Sequence, residues 1–192
     1  MTKKGLLLLF FTAGMILAVI FGVYFYQANR PHSAAEVTAL LQDFLGKINR
    51  GDLNGARKLM TPETASLLRD PGTELGKVIY RNLALTAVDN VTQSDENIIS
   101  ADVILSVPDT LTITAKAGLM FAEQVTESGP ADDPDAAMAA IYEDLLSREN
   151  LPVTETFCIV RMTDTGGKLL IMGDRALQQA LEGNMEQFPG VK

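Results

Sequence analysis

Hydrophobic residues first run together without period, and then recur in short segments of period 3.6 or period 2. Lys3 and Lys4 precede Gly5 to Tyr26, 22 residues without a charge. At helical rise this run covers roughly the 30 Å of a hydrocarbon core. Thirteen of its residues are Leu, Ile, Val or Phe, each favouring the membrane by roughly 0.3–0.6 kcal/mol. A signal peptide has a shorter apolar region, roughly 7–15 residues, followed by small residues at a cleavage site. Here Tyr24, Phe25 and Tyr26 stand at the exit, where aromatic side chains suit the headgroup zone. Residues 1–30 are therefore read as a retained transmembrane helix and residues 31–192 as the domain it carries. The two lysines should stay cytoplasmic, which makes the chain a single-pass protein of the cell membrane with its C-terminal domain outside.

Beyond the anchor, Ser33 and Glu36 stand three apart as a capping box, and Val37, Leu40, Leu41, Phe44, Leu45 and Ile48 follow as one helical stripe. Asp52 can cap a second short helix bearing Leu53, Ala56, Leu59 and Met60, and Thr61-Pro62 a third through Leu68. Asp70-Pro71-Gly72 breaks the helical period. Lys77 to Asn90 and Ile98 to Val107 are predicted as strands, with Ala101, Val103, Leu105 and Val107 on one face and Gln93 to Asn97 as the connection. A helix is predicted from Pro108-Asp109 to about Glu127, with Ile113, Ala117, Met120, Phe121 and Gln124 aligned, although Leu111, Ile113 and Ala115 also alternate like a strand. Asp133 and Pro134 start another, facing inward through Met138, Ile141, Leu145 and Leu146. Val153 to Met162 and Lys168 to Met172 form a hairpin across Asp164–Gly167. Asp174 caps a closing helix bearing Leu177, Ala180, Leu181 and Met185. The fold class is α+β.

Composition changes this picture in one respect. The overall charge is −8, but all 24 acidic residues lie beyond Arg30 with only 13 of the 16 basic ones, so the outer domain stands near −11. Such a surface repels phosphate backbones, and nucleic acid is not expected as a partner. One Cys, one His and no Trp exclude a disulfide framework, a Cys/His zinc site and a triad with several histidines.

The order of helices, strands, helices, hairpin and closing helix resembles the cone-shaped fold of the nuclear-transport-factor-two-like, or cystatin-like, superfamily. Phe44-Leu45-Gly46-Lys47-Ile48-Asn49-Arg50-Gly51-Asp52 with Ala56 is similar to its long helix and Gly-Asp turn. Val153 to Met172 followed by Asp174, Leu177, Ala180, Leu181 and Gly183 is similar to the end of small membrane-attached members from Firmicutes. The resemblance spans roughly Ala34 to Met185 and implies a curved antiparallel sheet wrapped on helices. Two features depart from those relatives: no lipidation cysteine follows the apolar run, and Leu169 stands where they often carry Trp. The superfamily hosts enzymes, transport factors and assembly subunits, so the fold supplies no function.

The chemistry-bearing residues are few. His32 lies just before the first helix and is read as a polar linker residue. Asp102 shares its strand phase with Ile104 and Ser106 and is read as a solvated carboxylate, with a cavity-facing acid as the alternative. Tyr80 and Tyr142 are candidate cavity donors or core residues with a hydroxyl at the rim. Asp132, Asp133 and Asp135 crowd together, yet Pro134 marks a helix start and the spacing of a calcium loop is missing. Cys158 reads as a small buried hydrophobe. No catalytic, metal or cofactor site is expected, and no cofactor. The expected function is an anchored extracytoplasmic binding or interaction module, held in the membrane through Gly5 to Tyr26, with a protein partner or a small apolar ligand. The rivals are an isomerase- or dehydratase-type enzyme using Asp102 with a tyrosine, and a subunit of a secretion-type membrane assembly.

Overall fold

The computed structural model describes residue 15 and residues 32–94, 97–129, 131–147 and 151–183. The predicted span lies outside them except for Met15, which is helical. Among the described residues no helix is long and apolar enough to cross a membrane.

Helix α1 (Ala34–Asn49) starts at the predicted capping box: Glu36 N donates to Ser33 Oγ at 3.2 Å and Ser33 N to Glu36 Oε2 at 3.1 Å. Its stripe buries Val37, Leu41, Phe44, Leu45 and Ile48. Helix α2 (Leu53–Arg57) is held by Asp52, whose Oδ1 accepts from Gly55 N at 2.8 Å. The third predicted helix is only a 3-10 turn, Ala65–Leu67.

The stretch from Lys77 departs from its predicted strand. Residues Glu74–Arg81 form helix α3, with Thr73 accepting from Gly76 N, and strand β1 (Ala84–Gln93) begins three residues later. Val78, Ile79 and Tyr80 are strand formers by type. Burial of the adjacent pair Ile79 and Tyr80 on a capped helix overrides that preference. Within β1, register shifts between Leu85 and Ala87 and between Asp89 and Thr92 put Leu85, Val88 and Val91 against the core at every third position. A strict period of two therefore misses half the strand, and the predicted connection residue Gln93 belongs to it.

Strand β2 (Ile98–Pro108) alternates as expected, with Ala101, Val103, Leu105 and Val107 buried. Strand β3 (Val153–Thr165) pairs with it antiparallel from Ile98↔Thr163 to Pro108↔Val153. Between them lie α4 (Thr110–Ser128) and α5 (Pro134–Ser147). The helical period prevails at the start of α4: Ile113 and Ala117 are buried while Leu111 and Ala115 are exposed. Gln124, aligned with them in sequence, is exposed as well. Strand β4 (Lys168–Met172) returns through a turn in which Gly166 and Gly167 have φ of 65° and 83°, and Asp164 Oδ1 accepts from Gly167 N at 2.7 Å. Helix α6 (Arg175–Leu181) is capped by Asp174; Met185 lies outside the described residues.

The result is α+β, with a four-stranded antiparallel sheet in the order β1-β2-β3-β4 packed on helices. One cluster joins the inward residues of the sheet to α1, α2, α3 and α6. A second, smaller cluster joins α4 to α5 through Ala117, Ile141 and Leu145. The edge at β4 is closed by the chain at Leu59–Thr61: Ile171 N donates to Leu59 O and Thr61 N to Ile171 O, both at 2.8 Å. Gly173 allows this approach, since a Cβ there would meet Met60 Cε at 2.4 Å and Thr64 O at 3.2 Å.

The antiparallel order also gives the sheet two different ends. The β1–β2 connection and the β3–β4 turn share one end. The start of β1, the ends of α1 and α3, and the root of the α4–α5 hairpin share the other, because Ala84 pairs with Ser106 and Asn49 Nδ2 donates to Leu83 O at 2.9 Å.

Candidate functional site

The residues singled out in the sequence are distributed over separate surfaces. Asp102 lies on the sheet face opposite the core and accepts from Asn90 Nδ2 at 2.7 Å. Asn90 can reach it because it sits in the irregular part of β1 with φ of 48°. Tyr142 packs against the small cluster of the α4–α5 hairpin. Asp133 is a helix cap, with Oδ1 accepting from Asp135 N at 3.1 Å and Ala136 N at 3.0 Å. Among the described residues no three His, Cys, Asp or Glu side chains are grouped to hold a metal ion. Cys158 is buried in β3, and burial, with Asp174 adding to it, pushes its thiol up to about 11.

His32 is not the loose linker residue its position suggests. Its Nε2 lies 3.0 Å from Asp164 Oδ2, its Nδ1 lies 3.4 Å from Glu36 Oε2, and its backbone N–H donates to Gln93 Oε1 at 3.4 Å. The ring thus lies between two carboxylates, one on α1 and one at the end of β3. His32, two residues beyond the predicted anchor, is thereby tied to α1, β1 and β3, at the end of the sheet that holds the β3–β4 turn.

Tyr80 stands at the other end and lines a concavity. A cleft of about 240 Å³ opens between the end of α1 and α3, bounded by Asn49, Arg50, Asp70, Lys77, Tyr80 and Arg81. Tyr80 belongs to the core by its ring, and its hydroxyl donates to Arg69 O at 3.2 Å and accepts from Gln178 Nε2 at 3.4 Å. Gln178 also donates to Glu182. Burial, opposed in part by the Gln178 bond, pushes the phenol above its usual range, so it stays protonated with its proton committed. Asn49 Nδ2 is used on Leu83 O, leaving Oδ1 buried with no hydrogen-bond partner.

Sequence reasoning passed over Arg50, Lys77 and Arg81 because each is an ordinary exposed cation by type. A signal for them exists in the charge distribution. Residues 47–81 hold seven basic and four acidic side chains, whereas the rest of 31–192 holds six basic and twenty acidic. The cleft is built from a stretch of the domain with a positive balance.

A second surface is the outer face of the sheet. Phe157 and Ile159 are 60% and 49% exposed on β3, a central strand, and Ile104, partly exposed, is the cross-strand partner of Phe157. Compared with family models, with characterised proteins and with solved structures, the chain matches none.

Proposed function

We propose that the chain is a single-pass membrane protein whose extracytoplasmic domain is a binding module without catalytic chemistry of its own. The N-terminus lies in the cytoplasm in this reading, and the domain belongs with the cone-shaped superfamily it resembles. A long N-terminal helix laid on a four-stranded antiparallel sheet supports that kinship. The observation that carries the functional reading is the attachment of His32. Only five residues separate Tyr26 from it, a span of at most about 20 Å, and its ring is bracketed by Glu36 and Asp164. The tether therefore has little slack. The end of the sheet with the β3–β4 turn faces the bilayer, and the opposite end presents the cleft, about 24 Å further out along the 16 residues of α1.

Expression of the full chain in a bacterial host tests this. The expected result is a protein of uncleaved length that stays with membranes through alkaline extraction and is digested by protease added from outside the cell. A soluble product shortened at its N-terminus, or a domain protected from external protease, overturns the reading.

The exposed Phe157 and Ile159 favour a second reading, a subunit of a membrane assembly, because apolar side chains clustered on a central strand commonly mark a contact surface. Size measurement of residues 31–192 decides it: oligomers that dissociate on Phe157→Ser support assembly, and a monodisperse monomer at high concentration counts against it.

A further inference from the structure

The outer face of the sheet carries apolar and acidic side chains side by side. On β3, Val153, Phe157 and Ile159 are exposed, and Ile104 of β2 and Ala87 of β1 continue the row of Phe157 across the sheet. Glu155 stands on the same phase of β3, and Asp102 and Asp89 continue the row of Ile159. Two carboxylates directly opposite one another work against the pairing of β1 with β2. The Asn90 amide that reaches Asp102 brings no charge to offset them. The strands hold two cations: Arg161, paired with Asp174 at 3.1 Å, and Lys168, beside the β3–β4 turn. Neither lies in the rows of Phe157 and Ile159. We propose that this face binds a cationic amphipathic helix of a partner protein.

Charge selects the occupant. A second copy docked through the same face about a two-fold axis would bring Asp89, Asp102 and Glu155 towards their own counterparts, in a domain where acids already outnumber bases. An anionic bilayer is repelled in the same way. A segment with Lys or Arg beside apolar side chains covers the strip and answers the carboxylates together. Its form follows from where it docks. The face of a sheet offers side chains and no free backbone groups, so the segment must satisfy its own N–H and C=O groups, as a helix does and a lone strand does not. From Val153 to Ile159 the strip runs about 20 Å, the length of roughly 13 helical residues. This partner presupposes the binding module proposed above.

The test uses the full chain in nanodiscs of zwitterionic lipid, with empty discs as reference. The probe is a dye-labelled helical peptide of about 14 residues, with Leu along one face and Lys along its flanks, followed by fluorescence anisotropy. Saturable binding above the empty discs is expected, and the same peptide with Glu in place of Lys should not bind. Phe157→Ser should weaken binding about tenfold, and the pair Asp89→Asn, Asp102→Asn about fivefold. Salt at about 0.5 M should weaken the unaltered chain more than the Asn pair. Both variants should keep Cys158, the inward neighbour of Phe157, shielded from thiol label, which reports an intact sheet. Glu63→Gln with Asp132→Asn removes two exposed carboxylates outside the strands and should leave binding unchanged. No binding above the empty discs up to about 1 mM, unchanged binding in Phe157→Ser, or an equal loss in the Glu63 and Asp132 pair overturns the face. Chains that associate through this face, separate on Phe157→Ser and no longer take up peptide assign it to a second copy and overturn the partner. The protease and extraction tests above report separately on the module: a cytoplasmic domain that binds the peptide overturns the topology and not the face, and an extracytoplasmic one that does not bind overturns only the face.

Discussion

The body of the domain and its α4–α5 hairpin are built on different principles. The body joins the sheet to α1, α2, α3 and α6 in one cluster, with Phe44, Ile48, Ile99, Met162 and Ile171 almost wholly removed from water. The hairpin's own cluster fully buries only Ala117, Ile141 and Leu145, and leaves Leu119 66% exposed. Strands β2 and β3 pair along their whole length across the point where the hairpin is inserted. The sheet therefore does not depend on the insertion to set its register, and the two regions should differ in how readily they open.

The largest effect that separates them comes from paired truncations. Phe44→Ala empties the middle of the body and should cost about 3–5 kcal/mol, read as faster labelling of Cys158, whose thiol is otherwise shielded by burial. Ile141→Ala should shift that labelling by less than about 1 kcal/mol while amide exchange in α5 rises. Equal effects of the two truncations on Cys158 would show a single cooperative unit and break the comparison.

A smaller effect is expected where the body closes its own edge. Gly173→Ala forces a Cβ towards Met60 Cε and Thr64 O and should cost about 1–3 kcal/mol by chemical denaturation, with α5 exchange unaffected. Loosening of α5 before β4 would contradict the placement of that contact.

Acid should act first on the hairpin root. Side-chain and backbone bonds from Thr112 hold the Asp109 carboxyl below its ordinary value. A depressed native pKa means that the cap's stabilisation is present above the unfolded value, about 3.9, and is lost as pH falls through the lower native one. Amides at the start of α4 should lose protection below about pH 4 before those of β2 and β3 do. Simultaneous loss would mean that Asp109 does not govern the hairpin. The smallest effect is Asp102→Asn, which keeps an acceptor for Asn90 on the solvent face and should stay within about 0.5 kcal/mol.

The same division explains what was legible in the sequence. Elements whose caps and period agree were readable from residues alone: Ser33 with α1, Asp133-Pro134 with α5, Asp164–Gly167 with the hairpin turn, Asp174 with α6. β1 was not, because its two register shifts replace the period of two with a spacing of three. α3 was hidden by Val78, Ile79 and Tyr80, whose strand preference yields to burial against the body. The cleft was the least readable feature. Its walls come from residues up to 33 positions apart, Ile48 to Arg81, and it shows in the sequence only as a basic stretch inside an acidic domain. Of the two partners of His32, Glu36 stands four residues on, but Asp164 reaches it from 132 residues away and has no local signal.

His32 decides the orientation proposed for the domain relative to its predicted anchor. Fluorophores attached at Thr165→Cys, beside the β3–β4 turn, and at Leu111→Cys, exposed at the opposite end, measure it in the full chain reconstituted in nanodiscs, with Cys158 left in place because burial shields it from label. A quencher carried on lipid headgroups should quench the dye at position 165 strongly and the dye at position 111 little. Equal quenching at both positions, or stronger quenching at 111, would contradict the orientation and with it the outward-facing cleft.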